Sequence, residues 1–184
     1  PVNHGRQRLL LSKLRRISGV KKVFVASGLR YDLLLNDGQN GPAYLEEVIG
    51  HHISGQLKVA PEHTVEHVLN LMKKPAGWQL IDFKNIFDRL NRESRKKQFL
   101  TYYFIAAHPG CREYDMEILR SFVHRELKIH PEQVQIFTPL PSTWSSVMYH
   151  AEKDPFTGKG IFVEKSMSGK ERQKRCLTRH RRRD

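Results

Sequence analysis

The stretch Gln56-Leu57-Lys58-Val59-Ala60-Pro61-Glu62-His63-Thr64 determines how the rest of the chain is interpreted. It begins as a short apolar strand, and Pro61 ends that strand because proline has no N–H for a sheet ladder. Thr64 is a good N-cap for the amphipathic run that begins at Val65. The stretch therefore predicts strand, polar loop and helix, with Glu62 and His63 at the carboxyl end of the strand, where parallel α/β folds bind ligands. An ordinary solvated loop is the alternative.

The length and composition are those of a folded soluble protein. The chain has 184 residues, of which 39% are hydrophobic and 28% are charged. Its apolar runs are all shorter than the roughly 20 residues that span a bilayer. The first residues lack a signal-peptide pattern, and the missing initial Met predicts a fragment of a longer protein. The two cysteines, Cys111 and Cys176, argue against a disulfide framework and favour a cytoplasmic location.

The chain carries a strong excess of basic residues, with 32 Lys and Arg against 19 Asp and Glu. Such a balance is typical of proteins that bind nucleic acid or another polyanion. About half of the excess lies in residues 165–184, which contain nine Lys or Arg and two acids. A basic terminus is more often solvated or disordered than a specific binding element. We therefore expect a folded domain over residues 1–163 and a basic tail over residues 164–184.

Helical and strand patterns alternate along the chain. Strands are predicted near residues 20–27, 56–61, 99–107 and 133–138, and the third is apolar enough to be buried on both faces. Apolar residues at helical spacing lie before and between them: Leu10, Leu14 and Ile17; Tyr44, Leu45, Val48, Ile49 and Ile53; Val65, Val68, Leu69 and Met72; Leu80, Phe83, Phe87 and Leu90; Met116, Leu119, Phe122, Val123 and Leu127. This order predicts an α/β fold with a parallel sheet, whose polar loops gather at one edge as in a barrel or partial barrel.

Four long motifs extend over most of the chain: residues 19–32 (GVKKVFVASGLRYD), 51–64 (HHISGQLKVAPEHT), 103–110 (YFIAAHPG) and 133–142 (QVQIFTPLPS). Together with Met148-Tyr149 and residues 154–158, they resemble the YgiQ-type radical S-adenosylmethionine (SAM) proteins, an uncharacterised family. The resemblance implies a TIM-barrel-like parallel (β/α) partial barrel, of which this chain would be the last four βα units.

The resemblance also implies two cofactors for the intact protein, SAM and a 4Fe–4S cluster. In such proteins a Cys-x-x-x-Cys-x-x-Cys loop after the first strand holds the cluster, and a glycine-rich loop after the second strand meets the methionine of SAM. Both loops are missing here, and Cys111 and Cys176 cannot supply three thiolates at that spacing. We therefore expect this chain alone to bind neither cofactor tightly and to be inactive.

Seven residues are expected to face SAM, because the resemblance assigns the loops that carry them to the cofactor side. Ser27, Arg30 and Asp32 match the loop after the third barrel strand, and Glu62 matches a polar position near the ribose. His63 neighbours it, and His108 and Pro109 match the loop that lies under the adenine. Ala106-Ala107 replaces a commoner glycine-rich sequence there. No catalytic residue is assigned, and the substrate stays open.

Other readings of the polar residues are less favoured. His63 and His67 have i, i+4 spacing, but Thr64 occupies the glutamate position of a His-Glu-x-x-His zinc motif. We therefore predict no metal site formed by this chain's own residues. Cys111 precedes Arg112, which could lower its pKa, but a small buried residue near a helix start is the favoured interpretation.

Two functions from different classes remain. The first is a fragment of a radical SAM enzyme, in which the cofactor supplies the chemistry. The second is a module that binds RNA or another polyanion through residues such as Arg92, Arg95, Lys96 and Lys97, without an accompanying aromatic stacking motif. No membrane partner is expected. The edge at residues 20–27 is expected to be open and could support self-association.

Overall fold

The computed structural model describes residues 2–131 and 134–178. Within these ranges the fold is α/β, with a three-stranded parallel sheet in the order β1-β2-β3 and eight α-helices. The strands are β1 (Gln56–Glu62), β2 (Phe99–Ala106) and β3 (Val134–Ile136). Between β2 and β3, Phe104 pairs with Val134 and Ala106 with Ile136 in parallel register. The architecture confirms the predicted fold class and is consistent with a partial parallel βα barrel.

The helices flank and connect the strands. Five of the eight begin within a few residues of a predicted apolar run, whereas those at residues 31–36, 144–151 and 167–178 were not predicted. The helices are α1 (Gly5–Arg15), α2 (Tyr31–Asn36), α3 (Gly41–His51), α4 (Glu66–Met72), α5 (Trp78–Glu93), α6 (Glu113–Phe122), α7 (Trp144–Ala151) and α8 (Met167–Thr178). A single π-helical turn, Val123–Leu127, continues α6. Among the described residues, no helix combines the length and the apolar content needed to cross a bilayer.

The chain divides into two compact units. The first unit comprises Pro1–Ala60 and Trp78–Tyr102. Its core contains Phe83, 5.8 Å from Tyr31 between ring centroids, together with the other predicted apolar residues of α5, which are all buried. The two phenylalanines of α5, Phe83 and Phe87, are completely buried. Their burial stabilises the unit by several kcal/mol, because each Phe→Ala change in a core costs about 3–5 kcal/mol.

Helix α1 of the first unit forms where its apolar spacing predicts, but none of its residues is buried. Leu9 and Leu10 are each 56% exposed. An apolar face at helical spacing therefore predicted the helix correctly, and α1 packs against α3 of the same unit while Leu9 and Leu10 stay exposed.

The predicted strand over residues 20–27 does not form, and the prediction of four strands is therefore wrong. Within the segment the N–H of Val25 donates to the carbonyl oxygen of His52, and beyond its end Leu29 forms an isolated parallel bridge with Val59. The His52 ring bonds the carbonyl oxygen of Val23 through Nδ1 at 2.7 Å. Because a side chain takes this carbonyl, it is not available to a regular ladder, and the segment lies beside β1 without pairing along its length.

The second unit comprises Pro61–Gly77 and Tyr103–Asp184. Its core contains the predicted residues Met116 and Leu119 of α6 and Val123 and Leu127 of the π-helical turn, all buried. The strand predicted at residues 133–138 is β3, although residue 133 lies outside the described residues.

Part of the predicted basic tail is a folded helix that packs on the rest of the second unit. Residues 167–178 form helix α8, which packs against α6 and β3 and buries Gly169, Gln173 and Leu177. These three residues are spaced at i, i+4 and i+8, which is an apolar helical stripe with a glutamine at its centre. Charge counting missed this stripe, because the exposed residues between its members are basic. Residues 179–184 of the predicted tail lie outside the described residues.

Two further expectations for β1 and β2 are corrected. Strand β1 does not stop at Pro61 but includes it and ends at Glu62. Strand β2 is not buried on both faces along its length, since Phe99 is 58% exposed and Tyr103 is 45% exposed. Only its carboxyl end is core, where Phe104 and Ala106 are fully buried.

Candidate functional site

The loop after β1 begins with a residue in an unusual backbone conformation. Glu62 has a φ of 65°, in the left-handed region that non-glycine residues rarely adopt at a cost of about 1–3 kcal/mol. Its Oε1 lies 2.8 Å from the Nζ of Lys74, which follows α4, and the two side chains are 22% and 15% exposed. The carboxylate is therefore held at the end of the strand by a charged, partly buried partner. This pair with Lys74 was not predicted from the sequence.

His63 is directed into the protein. The ring is 1% exposed, and its Nδ1 accepts a hydrogen bond from the backbone N–H of Val65 at 3.0 Å. In the neutral ring Nε2 must then carry the hydrogen, and it lies 3.6 Å from the sulfur of Cys111. Burial, reinforced by the nearby His67 and His108, lowers the pKa of His63 to about 3. His63 is therefore a neutral, buried residue at the end of β1.

The predicted N-cap at Thr64 is wrong. Helix α4 begins at Glu66 with Val65 as its N-cap, and Thr64 gives it no side-chain hydrogen bond. The Oγ1 atom of Thr64 is buried without a partner among the described residues.

The loop after β2 shows the same combination of an unusual backbone and a buried histidine. Ala107 has a φ of 58°, and His108 is 3% exposed. The Nδ1 of His108 lies 2.8 Å from the carbonyl oxygen of Pro109, which can only accept, so Nδ1 carries the hydrogen. Nε2 then accepts from the Ser145 hydroxyl at 2.8 Å. Burial outweighs the bond to Pro109 and lowers the pKa of His108 to about 4.

A glutamine from α8 holds this loop on both sides. The Oε1 of Gln173 accepts from the Ala107 N–H at 2.9 Å, and its Nε2 donates to the carbonyl oxygen of Cys111 at 3.1 Å. Gln173 is 2% exposed. One side chain therefore satisfies the two backbone groups that bracket His108 and Pro109, and Pro109 itself is buried. Sequence analysis missed Gln173 because it lies 66 residues from Ala107 in a segment that was interpreted by its charge.

Cys111 is a buried thiol, as favoured. Its side chain is fully buried, and burial together with the Asp115 carboxylate raises its pKa to about 12. The alternative interpretation, a pKa lowered by Arg112, is wrong, because the Arg112 guanidinium stacks on the Phe162 ring at 4.4 Å. Cys111 is therefore protonated at neutral pH and unsuited to metal binding or nucleophilic attack.

His63 and His67 do not share a helical face. His63 precedes α4 and faces Cys111, whereas the exposed His67 pairs with Asp115, with 3.3 Å between Nε2 and Oδ2. In residues 2–131 and 134–178, no three His, Cys, Asp or Glu side chains are grouped as metal ligands would be.

The loop of residues 27–32 belongs to the first unit and differs from the other two loops. Ser27 and Arg30 are exposed, and Arg30 makes a bidentate ion pair with Asp32, at 2.8 Å from Nε to Oδ1 and 2.5 Å from Nη2 to Oδ2. Burial opposes ionisation of Asp32, but the Arg30 bond and charge outweigh it and lower the pKa. Glu62 and His108 lie at the carboxyl ends of β1 and β2 in the second unit. It remains a prediction that Arg30 lies at the same edge of the sheet as Glu62 and His108.

The chain is similar to UPF0313 proteins from several organisms. It is 54% identical over 180 residues to one from Fusobacterium nucleatum, a match that covers 98% of this chain and 32% of the relative. It is 44% identical over 160 residues to one from Bacteroides thetaiotaomicron, covering 84% and 26%, and 42% identical over 165 residues to one from Methanocella arvoryzae, covering 90% and 27%. The chain thus spans about a third or less of the length of these curated relatives. No family model matches the chain.

Proposed function

We propose that this chain is the carboxyl-terminal half of the partial barrel of a longer radical SAM enzyme, whose 4Fe–4S cluster is held by residues outside the chain. The main observation is the pair of strand ends at Glu62 and Ala107, both left-handed and both followed by a buried neutral histidine. Such strained backbone clusters at ligand sites. The motif resemblance, the parallel sheet and the greater length of the relatives support the same conclusion.

The residues of this chain do not fit the cluster. A 4Fe–4S cluster is ligated by thiolates, and Cys111 is buried with a pKa raised to about 12. Cys176, the other cysteine of the sequence, lies 65 positions away. The cluster ligands of the proposed enzyme must therefore come from the rest of the longer protein.

The loops after β1 and β2 do fit part of SAM. The Glu62 carboxylate is partly exposed and fixed in place by Lys74, and a carboxylate can accept hydrogen bonds from both hydroxyls of a ribose. His108 is neutral and, with the buried Pro109, shapes the loop that we assign to the adenine side. Ser27, Arg30 and Asp32 are the proposed contacts from the first unit. When bound, SAM would supply the radical chemistry, and these residues would bind and orient it.

His63 is the least suitable of the seven predicted contacts. Both of its ring nitrogens are used inside the protein, by Val65 N–H and by the sulfur of Cys111. Contact with SAM would require one of these bonds to open. We therefore propose that His63 supports the loop that carries Glu62.

Reductive cleavage of SAM tests the proposed function. The longer protein that contains this chain, reconstituted with iron and sulfide without oxygen, should form 5′-deoxyadenosine when given SAM and a reductant. The 184-residue chain treated in the same way should form none and should take up no stoichiometric iron and sulfide. A reconstituted longer protein that leaves SAM intact would contradict the proposal.

One observation favours a second function, binding of RNA or another polyanion. Arg92, Arg95, Lys96 and Lys97 are all exposed, and none of them forms an ion pair within the described part of the chain. If they contact phosphates, the binding constant of a single-stranded RNA should fall steeply with salt. Changing all four to Ala should reduce that slope, and an unchanged slope would exclude this surface.

A further inference from the structure

Lys170 of α8 is a buried cation that forms no ion pair among the described residues. The residue is 9% exposed, and its Nζ donates to the phenolic oxygen of Tyr149 at 3.0 Å. Among the described residues, no carboxylate lies within ion-pair distance of this ammonium group. Buried charges are normally paired because removal from water is costly. Its nearest compensation is the Tyr149 ring, 4.8 Å from the ammonium, and Lys170 therefore lacks a directly paired anion.

Tyr149 adds a second donor at the same place. Since an ammonium group only donates, the phenolic oxygen accepts from Lys170, and its own O–H proton remains to be donated. No acceptor for this proton occurs among the bonds of the described residues. The ammonium of Lys170 and the hydroxyl of Tyr149 therefore form two adjacent donors, which is the arrangement that binds the oxygens of a carboxylate or phosphate.

The nearby carboxylates do not form an ion pair with Lys170, although the charge of Lys170 contributes, after the Ser166 hydrogen bonds, to the lowered pKa of Glu164. Lys165 lies over the Tyr149 ring, 4.2 Å from its centroid, and pairs with Glu152 at 3.4 Å. The Oε1 of Glu164 accepts hydrogen bonds from the N–H and the hydroxyl of Ser166, at 2.9 and 2.7 Å. Each nearby carboxylate thus has its own donors, and an additional oxyanion would complete the Lys170 environment.

The position of the pair connects it to the ends of the strands. The Tyr149 ring lies 5.8 Å from the ring of Phe137, which directly follows β3, and Phe137 lies 5.2 Å from the ring of His108. Ser145, one turn before Tyr149 on α7, bonds His108. Lys170 and Tyr149 are therefore linked, through one aromatic ring, to the loop that we assign to the cofactor side.

We propose that Lys170 and Tyr149 bind the oxyanion group, a carboxylate or a phosphate, of a ligand at the carboxyl ends of β2 and β3. The assignment of this ligand as the substrate rests on the proposed function, whereas binding of the oxyanion does not. Binding at this position would restrict the substrate to compounds with a carboxylate or phosphate group. That group would be separated from the His108 loop by the rings of Tyr149 and Phe137.

Titration of the full 184-residue chain with sodium phosphate, and separately with sodium acetate, tests the site at constant ionic strength. Amide NMR shifts of α7 and α8 report binding in every variant. At least one anion should shift these signals saturably, and Lys170→Met should weaken that anion about tenfold or more, since the lost bond is charge-assisted. Tyr149→Phe keeps the ring but removes the O–H proton, and should weaken binding severalfold. If the unchanged chain binds phosphate more tightly than acetate, the ligand carries a phosphate group. If it binds acetate more tightly than phosphate, the ligand carries a carboxylate group.

Lys159→Met is the matched control, because Lys159 is exposed and forms no ion pair among the described residues. It should bind the anion as the unchanged chain does. The proposal is overturned if neither anion gives a saturable shift, or if Lys170→Met and Tyr149→Phe bind as tightly as Lys159→Met. The titration uses neither SAM nor a cluster, so its failure would leave the proposed function untouched, and failure of SAM cleavage would leave the oxyanion site standing.

Discussion

The loops of residues 27–32 and 107–111 follow apolar segments of similar composition, but they are held in different ways. In the first loop, Arg30 and Asp32 pair with each other two residues apart, and Arg30 is exposed. In the second, Gln173 bonds the backbone from 66 residues away, and His108 is buried. A local ion pair satisfies its own side chains and fixes little else. A buried long-range bond fixes the position of the whole loop.

The segments before these loops, residues 20–26 and strand β2, should differ in the same way. The largest expected difference is in the protection of their amides from hydrogen exchange. Amides of residues 20–24 should exchange with an opening free energy near zero, because no ladder protects them. Those of Phe104 and Ala106 should approach the free energy of global unfolding, on the order of 5–15 kcal/mol. Exchange is measured by NMR at two protein concentrations. Strong protection of residues 20–24 in the monomer would contradict the account, and protection that appears only at high concentration would indicate self-association through this edge.

The buried histidines near the ends of β1 and β2 should make stability depend on pH. Their folded pKa values, about 3 for His63 and about 4 for His108, lie below the ordinary 6.5 of the unfolded chain. Above pH 6.5 neither state is protonated; as the pH falls, only the unfolded state binds protons, so stability falls. The free energy of unfolding should decrease by about 3–5 kcal/mol between pH 6.5 and 4.5.

Urea unfolding at several pH values measures this slope, and two variants test its origin. His108→Asn should reduce the slope by about half, because one of the two histidines is removed. His150→Asn should leave it unchanged, since His150 is exposed and does not contribute to the shifted pKa of either buried histidine. An equal slope in all three proteins would show that these buried histidines are not the cause.

Removal of Gln173 should cost more stability than removal of Arg30. Gln173→Ala leaves the Ala107 N–H and the Cys111 carbonyl buried without partners, at a cost of about 2–4 kcal/mol in the free energy of unfolding. Arg30→Ala should cost less than about 1 kcal/mol, since the Arg30 side chain is 49% exposed and its ion pair is local. Gln173→Glu buries a carboxylate against the Cys111 carbonyl oxygen, so at neutral pH it should cost at least as much as Gln173→Ala. Equal losses for Gln173→Ala and Arg30→Ala, measured by urea unfolding, would contradict the comparison.

Patterns within one element predicted most of the fold. The apolar spacings of α5 and α6 identified residues that are buried, such as Phe83 and Met116, because helical periodicity needs no knowledge of distant partners. The three strands that form were located correctly within a few residues. The failure at residues 20–27 has a distant cause, the His52 ring bonded to Val23, which no local pattern contains.

The candidate site was predicted less completely for the same reason. Glu62 and His108 were placed at strand ends by their position after apolar runs. Their partners, Lys74 and Gln173, were missed, because one lies beyond an intervening helix and the other near the carboxyl end of the chain. The Thr64 cap failed because the left-handed turn at Glu62 and the His63 ring redirect the chain before α4.

The binding of SAM to Glu62 variants of the longer protein tests the central claim most directly. Glu62→Ala should weaken SAM about tenfold or more, because it removes a charged acceptor of the ribose hydroxyls. Lys74→Met breaks the same ion pair but keeps the carboxylate, so it should weaken SAM much less. Calorimetric titration that gives this order supports the cofactor role of Glu62. Unchanged affinity in Glu62→Ala, or an equal loss in Lys74→Met, would show that Glu62 only stabilises the fold.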